Sequence, residues 1–276
     1  MEKDANKELK ITVLSKENEA SHQAEKVEMI SLDKITDFKN HPFKVKDDED
    51  MRKMVESVRE YGVLNPILVR AKADGNYEII SGHRRKRASE IVRKTSIPAI
   101  VRNLTDDEAT IIMVDSNLQR EEILPSEKAF AYKMKLEAIS RQGTRSDLTS
   151  TPMESKLRSN EIVGEQNGES REQVRRYIRL TELVPDILRM VDEKKMAFRP
   201  AVEISYLTKE EQKDLYDIMQ YSDATPSLAQ AIRLKKLSQE KILDVDKMDE
   251  IMSEEKPNQV VKLKISQSKL ERFTSK

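Results

Sequence analysis

The sequence predicts a small α/β domain followed by an all-α domain, and three observations lead to this prediction. Short β-branched runs that are typical of strands are concentrated before residue 103, whereas later apolar residues repeat with helical spacing. The chain has 276 residues, of which 37% are hydrophobic and 4% aromatic, so it can fill several small cores better than one large core. We predict four segments: a flexible arm (1–26), an α/β domain (27–120), a helical domain (121–240) and a C-terminal segment that begins as a linker (241–276).

The predicted α/β domain begins with the strand candidate "VEMISLDKI". A helix follows, because Met51, Met54, Val55 and Val58 have the i, i+3, i+4, i+7 spacing of one buried face, and Gly62 stands at its end. "VLNPILVR" and "YEIIS" are predicted strands joined by a turn at residues 74–76. A helix over residues 83–94 and a strand over "IPAIVR" complete this part.

The predicted helical part begins at Thr105, which forms capping-box spacing with Glu108 and opens a helix to about Leu118. Another helix begins at Pro125, and either of two sets of residues can pack inward: Phe130, Met134 and Ala138, or Leu136 and Ile139. The segment "RQGTRSDLTSTPMESK" (141–156) is predicted to be a loop. Helices resume near residue 157 and continue to about residue 237, and "NQVVKLKI" near the end is a strand candidate.

Composition excludes several classes of function. Fifty basic and fifty acidic side chains give zero net charge, so an anion site requires local clustering rather than a uniformly basic surface. There is no cysteine, which excludes disulfides, thiolate zinc sites and cysteine catalysis. The N-terminus lacks the apolar core of a signal peptide, and no run approaches the roughly 20 apolar residues of a membrane span. We therefore predict a soluble cytoplasmic protein.

The stretch "IISGHRRKR" (79–87) predicts a phosphate site at the start of a helix. Gly82 allows a close turn, the N–H groups at a helix start attract anions, and Arg84 and Arg85 can each bind phosphate oxygens in pairs. Four cations in a first turn also oppose the helix dipole, and a phosphate would relieve that conflict. The alternative is a solvated cationic surface. A metal site at His83 is disfavoured, because the other histidines form no motif with it, and stacking or hydrogen bonding fits better.

A second polar cluster lies where the next helix ends, at Asn117, Gln119 and Arg120. An amide side chain both donates and accepts hydrogen bonds, as base recognition or support of a metal site requires. An ordinary helix cap followed by a loop would explain the same residues.

The segment "LRSNEIVGEQNGESREQVRRYIRLTEL" predicts a helix-turn-helix, with Gly168 in the turn and a capping box formed by Ser170 and Gln173. Val174, Tyr177, Ile178 and Thr181 form the predicted inner face of its second helix, and arginines form an outward stripe. The N-terminal residues of a recognition helix lie nearest the bases. We therefore assign base contacts to Arg171 and Gln173, and phosphate contacts to Arg175, Arg176 and Arg179. A helical pair with a solvated basic face is the alternative.

These motifs, in this order, resemble the ParB family of chromosome and plasmid partition proteins over about residues 28–215. The family's Gly-Glu-Arg-Arg box corresponds to Gly82-His83-Arg84-Arg85, and its Glu-Asn-x-Gln-Arg box corresponds to Ser116-Asn117-Leu118-Gln119-Arg120. Leu124, Pro125 and Glu127 match the residues that follow in the family, and Ser170-Arg171 matches the start of its recognition helix.

The resemblance implies a dimeric clamp that closes on a parS-like DNA site when CTP and Mg²⁺ bind. Gly82, Arg84 and Arg85 would then hold phosphates, and Asn117 would support the magnesium. The remaining box residues would complete the nucleotide pocket: His83, Ser116, Gln119 and Arg120. The resemblance also implies a homodimer on the nucleoid or a plasmid, with part of a C-terminal dimerisation segment in residues 241–276. It further implies contact of the N-terminal arm (Lys3, Lys7, Lys10) with a ParA-type ATPase, although a solubilising tail explains the arm equally well.

Departures from the family concern hydrolysis and the ligand. His83 replaces an acid, and Ser116 replaces the carboxylate most closely tied to metal binding and hydrolysis, while the adjacent Asp115 points about 100° away around the helix. An early Gln-Pro-Arg box is altered at residues 41–44, and Arg176 replaces a common Asn, so neither CTP nor the usual centromere site is fixed. These two replacements speak against hydrolysis, so at most a weak CTPase would be expected.

Three alternatives follow from these departures. The first is a transcriptional repressor of a plasmid or mobile element that lacks a nucleotide switch. The second is a nuclease that uses Asp115, Glu121 and Glu122, the acids nearest the pocket in the sequence. The third, sulfiredoxin chemistry, is excluded because it needs a cysteine.

Overall fold

The computed structural model describes residues 26–120, 122–146, 163–164 and 168–254. The chain divides into two compact units: the N-terminal unit contains residues 1–123 and 131–163, and the C-terminal unit contains residues 124–130 and 164–276. Several predicted features lie outside the described residues, among them the N-terminal arm before residue 26, most of the first helix of the helix-turn-helix, and the strand candidate "NQVVKLKI".

The N-terminal unit is built on a mixed five-stranded sheet in the order β1-β5-β3-β4-β2. Its strands are β1 (Val27–Ser31), β2 (Ile35–Thr36), β3 (Ile67–Ala71), β4 (Tyr77–Ser81) and β5 (Ser96–Arg102). Strand β5 pairs antiparallel to β1 and parallel to β3, whereas β4 pairs antiparallel to β3 and parallel to β2. The alternating apolar side chains of β3, β4 and β5 give the sheet a core in which Ile67, Val69, Ile79 and Ile97 are fully buried.

Four helices accompany this sheet within the described residues, and their caps explain where they begin. They are α1 (Glu49–Tyr61), α2 (His83–Ile91), α3 (Asp106–Leu118) and α4 (Pro125–Ser146). Helix α1 starts at Asp48, whose carboxylate accepts a hydrogen bond from the N–H of Met51, and it stops at Gly62, which has a φ of 76°. Helix α3 starts at the predicted capping box of Thr105 and Glu108, in which both reciprocal hydrogen bonds form.

Helix α4 corrects the prediction of a loop that begins at residue 141, because the helix continues to Ser146. The Nε atom of Arg141 donates to the carboxylate of Asp107 at 2.7 Å, which ties this part of α4 to α3. Tertiary contact therefore overrides the Gly- and Ser-rich composition here. The rest of the predicted loop, residues 147–156, lies outside the described residues. Of the predicted packing residues, Ala138 is fully buried and Phe130 is exposed.

The described part of the C-terminal unit is helical. Six helices are described after residue 168: α5 (Arg171–Leu180), α6 (Pro185–Asp192), α7 (Phe198–Ile204), α8 (Lys209–Ser222), α9 (Leu228–Gln239) and α10 (Val245–Ser253). Their apolar faces form one core that includes Leu180, Ile187, Ile204, Leu215 and Leu234. Helices α8 and α9 begin at capping boxes. The predicted fold class, an α/β domain followed by helices, is confirmed.

No helix within the described ranges has the length and apolarity needed to cross a membrane.

Candidate functional sites

The turn between β4 and α2 requires a glycine. Gly82 caps α2 in the left-handed conformation with a φ of 103°, a region that L-residues with a side chain rarely adopt. A Cβ atom at this position would lie 2.7 Å from Cγ2 of Ile67 and 3.0 Å from an Nη atom of Arg85. The prediction of a close glycine turn between strand and helix is thus confirmed.

The first two cations of α2 bind groups of the protein itself. The guanidinium of Arg84 donates two hydrogen bonds to Asp48, at 2.8 and 3.2 Å. The Arg84 guanidinium lowers the pKa of the Asp48 carboxyl to about 2. An Nη atom of Arg85 donates to the carbonyl oxygens of Asn65 and Pro66, at 2.7 and 2.6 Å. These contacts anchor α2 to the start of α1 and to the segment before β3.

The next two cations are paired with acids. The ammonium of Lys86 lies 3.1 Å from Asp37 and 2.9 Å from Glu90. The guanidinium of Arg87 lies 2.9 Å from Asp47. The repulsion among the four cations, from which we predicted a phosphate, is therefore already offset by carboxylates and carbonyls of the chain. A phosphate at Arg84 or Arg85 would have to compete with these partners.

A cavity of about 460 Å³ lies beside α2, and one face of that helix lines it. His83, Lys86, Arg87 and Glu90, at i, i+3, i+4 and i+7, form this wall. The opposite wall is the segment between β2 and α1, through Asp37, His41, Phe43, Lys44, Val45 and Asp47. Arg84 and Arg85 do not line the cavity, so α2 presents one face to it and uses the others for packing.

His83 is the most unusual group of this cavity. It is only 7% exposed, and its ring lies against the ring of His41, with centroids 3.9 Å apart and ring planes tilted by 38°. Neither ring nitrogen of His83 has a hydrogen-bond partner among the described residues. Burial, together with the neighbouring His41, lowers the pKa of His83 to about 3, so the ring is neutral at physiological pH.

Of the second polar cluster (Asn117, Gln119 and Arg120), only Arg120 lies close to residues of this cavity. Arg120 lies with its guanidinium carbon 5.6 Å from the centre of the Phe43 ring, and its charge contributes to the lowered pKa of His83. Asn117 is buried and donates from Nδ2 to the carbonyl oxygen of Met113 at 2.8 Å. Ser116 and Gln119 are exposed. The fold thus brings Arg120 near His83, while the Asn117 amide is engaged within α3.

A magnesium site does not emerge from these residues alone. Mg²⁺ in proteins is held by carboxylates together with water and substrate phosphates. Ser116 and Asn117 offer a hydroxyl and an amide, and the hydroxyl donates to the carbonyl oxygen of Met113 at 3.0 Å. Asp115, the nearest carboxylate of this segment, is ion-paired with Lys135. In the part of the chain that the structure describes, no group of three or more His, Asp or Glu residues could hold a metal.

The C-terminal unit contains the predicted recognition helix, α5. The Ser170 hydroxyl accepts a hydrogen bond from the N–H of Gln173 at 3.1 Å, which is one half of the predicted capping box. Gly168 has a φ of 65°, as its predicted position in the turn requires. A Cβ on Gly164 would lie 2.6 Å from the carbonyl oxygen of Glu169, so the chain passes closely over this point.

The arginines of α5 fall into two groups. Arg175 is exposed and Arg176 half-buried, and both contact Glu172 on the same helix, at 3.4 and 3.8 Å. Arg171 is half-exposed. Arg179, in contrast, donates to the hydroxyl of Ser205 at 3.1 Å and to its carbonyl oxygen, and stacks at 4.0 Å on the ring of Tyr206. Of the arginines predicted to face outward from α5, Arg179 is therefore bound to the end of α7.

Several residues of these sites escaped the sequence analysis. The i, i+3, i+4, i+7 spacing from His83 would have identified the face of α2 that lines the cavity. The altered family box at residues 41–44 indicated part of the opposite wall, whereas no sequence signal indicated the rest of it at residues 37–47, because its position depends on the tertiary fold. Likewise, no signal placed Ser205 and Tyr206 beside Arg179, or the ammonium of Lys235 at 3.9 Å from the centre of the Tyr206 ring.

Comparison with known proteins gives the family of the N-terminal unit. Residues 16–118 match the family described as ParB N-terminal domain. The chain is 43% identical over 119 residues to a nucleoid occlusion protein of Lysinibacillus sphaericus, covering 43% of this chain and 40% of that protein. It is 34% identical over 184 residues to a probable chromosome 1-partitioning protein ParB of Deinococcus radiodurans, covering 66% and 57%. The matches thus span about half the length of these relatives.

Two solved structures of a C-terminally truncated chromosome-partitioning protein ParB from Caulobacter crescentus are also similar. The complex with the centromeric parS site has a TM-score of 0.43 at 21% identity, covering 82% of this chain and 98% of that one. The complex with CTP-γ-S has a TM-score of 0.33 at 25% identity, covering 67% and 94%. Scores at this level assign no ligand to the present chain.

Proposed function

The chain belongs to the ParB family through its N-terminal domain, and from this premise we propose that it is a sequence-specific DNA-binding partition protein. In this proposal α5 recognises a parS-like duplex, and a nucleotide, CTP with Mg²⁺, binds at the α2 cavity and the adjacent Gly82 turn. Nucleotide binding closes a homodimer as a clamp on DNA of the nucleoid or a plasmid. The N-terminal arm would contact a ParA-type ATPase.

The observation that carries the DNA-binding proposal is the arrangement of α5. Its N-terminus is capped by Ser170, follows a glycine turn, and carries Arg171, Arg175 and Arg176 on surfaces that the unit's core leaves at least partly exposed. A capped helix end with arginines and Gln173 suits a major groove, where Arg pairs with guanine and Gln with adenine. Arg179 would support this helix through Ser205 and Tyr206, and to contact a phosphate it would have to leave these partners.

The nucleotide part of the proposal is supported by the turn at Gly82 and by the cavity. The start of α2 provides backbone N–H groups for a phosphate. Arg84, Arg85 and Arg120 are the proposed phosphate ligands, with Ser116, Asn117 and Gln119 completing the pocket. Because the described residues form no magnesium site of their own, the metal would depend on the phosphates of the bound nucleotide.

Selection of DNA sequences from a random duplex pool tests the DNA-binding proposal. The full chain should enrich one motif, and Arg171→Ala should relax the base preference at defined positions while retaining non-specific affinity. Lys213→Ala, which removes an exposed cation of helix α8, is the matched control and should keep the motif. Enrichment of no motif by the parent protein would refute sequence-specific binding.

Calorimetry with each of the four nucleoside triphosphates, with and without Mg²⁺, tests the nucleotide pocket.

The clamp is tested by cysteine crosslinking, which can be directed to one chosen position because the chain contains no cysteine of its own. Leu64→Cys, which places a single cysteine at an exposed position of the N-terminal unit, should crosslink two copies of the chain only when CTP and cognate DNA are both present. A yield that is independent of nucleotide would contradict the clamp.

The second candidate function is a DNA-bound repressor of the same family without a nucleotide switch. One observation favours it: the cations of α2 are already paired with Asp37, Asp47, Asp48 and main-chain carbonyls. Such a repressor would bind its operator with the same affinity with or without any nucleoside triphosphate. Nuclease activity has no comparable support, because Asp115 is paired with Lys135.

A further inference from the structure

The first turns of helix α9 expose apolar side chains. Leu228 is 38% exposed and Ile232 49%, and Ala229 is exposed beside them. Residues four apart on a helix are neighbours on its surface, so these three side chains form one apolar patch. Apolar side chains that are exposed singly are ordinary on a protein surface, whereas a contiguous patch is a candidate contact surface. We call these three residues the α9 patch.

The chain leaves the described structure beside the α9 patch. The last turn of α10 is fastened to the first turn of α9, because Nε2 of Gln230 donates to the carbonyl oxygen of Ile251 at 2.6 Å. The carboxylate of Glu254, the last residue that the structure describes, lies 2.6 Å from the guanidinium of Arg233. Arg233 follows Ile232 directly, so Glu254 is held within the length of an arginine side chain of the patch.

The residues after Glu254 can return onto α9. The backbone of Glu254 has a φ of −59° and a ψ of 137°, outside the helical region, so α10 ends here. Pro257 and Asn258 follow, and both residue types favour turns. An extended chain spans roughly 3.3 Å per residue, so a few residues cover the length of one helical turn, about 5.4 Å. The stretch beyond residue 258 is therefore within reach of the patch.

This stretch, residues 259–265 ("QVVKLKI"), has apolar side chains to offer. Val261, Leu263 and Ile265 alternate with lysines. In an extended segment, alternate side chains point to the same side, so these three would lie on one side and Lys262 and Lys264 on the other. The apolar side suits a patch formed by a leucine, an alanine and an isoleucine.

The charges around the α9 patch also favour a basic segment. The exposed residues of α10 include Asp246, Asp249 and Glu250, which are opposite in sign to the two lysines. The exposed cations of α9 next to the patch already have acidic partners: Arg233 is paired with Glu254, and Lys236 lies 3.8 Å from Glu240. Repulsion between α9 and the lysines of the segment is therefore reduced.

We propose that residues 259–265 pack on the α9 patch of the same molecule, with Val261, Leu263 and Ile265 toward Leu228 and Ile232. The inference does not depend on the nucleotide or DNA binding proposed above. It gives a second role to a segment that the family resemblance assigns to dimerisation. A chain that holds these residues on its own α9 cannot at the same time offer them to a second copy.

Disulfide formation in the full chain tests the proposal, and only the introduced cysteines can react because the parent has none. Ala229→Cys combined with Leu263→Cys should form a disulfide under mild oxidation. Adding Ile232→Asp should slow this reaction roughly tenfold, because a carboxylate on the patch opposes apolar contact. Adding Ile242→Asp is the matched control: Ile242 has the same exposure, 49%, but lies outside the patch, and the rate should not change.

The reciprocal change is made in the segment. Val261→Ser with Ile265→Ser, added to the same cysteine pair, should slow the disulfide as Ile232→Asp does. Lys262→Ser with Lys264→Ser is the control and should not. These positions lie outside the described helices, so this comparison gives an answer even if Ile232→Asp does not fold.

An equal mixture of unlabelled and ¹⁵N-labelled chains shows which copy supplies the segment. Disulfide-linked peptides of one isotope composition support the inference. Peptides of mixed composition would mean that a second copy covers the patch, which overturns packing within one molecule. No disulfide in the starting pair, or a rate that Ile232→Asp or the two serines leave unaltered, overturns the inference as well.

Discussion

Helices α2 and α5 both carry several arginines, but the charges of these arginines are balanced in different ways. At α2, Arg84 is bound by Asp48, which belongs to a distant part of the sequence, and Arg85 by two main-chain carbonyls. At α5, the acid that contacts Arg175 and Arg176 is Glu172 of the same helix, at 3.4 Å or more. The comparison teaches that a cluster of cations does not by itself identify an anion site. The location of the acids decides whether the cluster is neutralised within the protein or presented to a polyanion.

The largest effect is expected at the turn that starts α2. Gly82→Ala should destabilise the N-terminal unit by about 2 to 4 kcal/mol, because the new Cβ adds left-handed strain and a clash at 2.7 Å with Ile67. Gly75→Ala is the control, since Gly75 also has a positive φ, 80°, but no atom lies within 4 Å of the position that a Cβ would take there. Urea denaturation measures both; equal losses would show that Ile67 does not press on this turn.

The second prediction concerns the pH dependence of stability at His83. Its folded pKa, about 3, lies below the ordinary value of 6.5, so between these values only the unfolded chain takes up the proton. Stability from this group is thus complete above pH 6.5 and falls as the pH is lowered, with a slope that approaches about 1.4 kcal/mol per pH unit. Urea denaturation between pH 7 and 4.5, before Asp48 titrates, measures it.

His83→Phe is the control for this slope and should reduce it by about one proton. An unchanged slope in the variant would show that His83 is protonated in the folded protein. That result would place a charged residue on the cavity wall and would make the start of α2 more like the start of α5.

The third prediction separates the two kinds of arginine within α5. Arg179→Ala should lower the stability of the C-terminal unit by about 1 to 2 kcal/mol, because it removes both hydrogen bonds to Ser205 and the stacking on Tyr206. Arg175→Ala should leave stability unchanged and reduce the salt dependence of DNA binding by about one counterion. Thermal unfolding and anisotropy titrations at several salt concentrations measure the pair. If Arg179→Ala unfolds at the same temperature as the parent, Arg179 does not stabilise the unit and does not differ from Arg175 in this respect.

The smallest effect is expected at Asp48. If a nucleotide phosphate competes with this carboxylate for Arg84, Asp48→Asn should tighten triphosphate binding a few-fold, because the competing charge is gone. The amide can still cap α1, so the helix should persist. Calorimetry measures the affinity, and Asp50→Asn, in the first turn of α1, is the matched control. Weaker binding by Asp48→Asn would mean that Asp48 orients Arg84 for the phosphate instead of withholding it.

The parts of the fold that the sequence predicts well are those encoded by neighbouring residues. The capping box of Thr105 and Glu108, the glycine turn at Gly82 and the apolar stripe of α1 need only a few residues to be recognised, and the structure contains all three. The end of α4 could not be predicted in the same way. Its last turns contain Gly and Ser, and the contact of Arg141 with Asp107 comes from a residue 34 positions away.

The candidate sites show the same limit. The sequence locates the cations of α2, but the aspartates that pair with Arg84, Lys86 and Arg87 come from residues 36 to 49 positions earlier. Helical spacing predicts that Arg179 follows Arg171 and Arg175 to the outside of α5. It does not predict that the end of α7 lies there and accepts its hydrogen bonds. Local chemistry is visible in a sequence, whereas the partner that completes it depends on the tertiary fold.

The ion pair of Lys135 with Asp115 has a practical consequence. The Lys135 side chain has no exposed surface, although the chain carries many lysines in contact with water. An acylating reagent would therefore modify the surface amines first and reach this one only when the packing of α4 on α3 opens. The rate of acylation at Lys135, followed by mass spectrometry of peptides, would therefore report how often the contact between α4 and α3 opens.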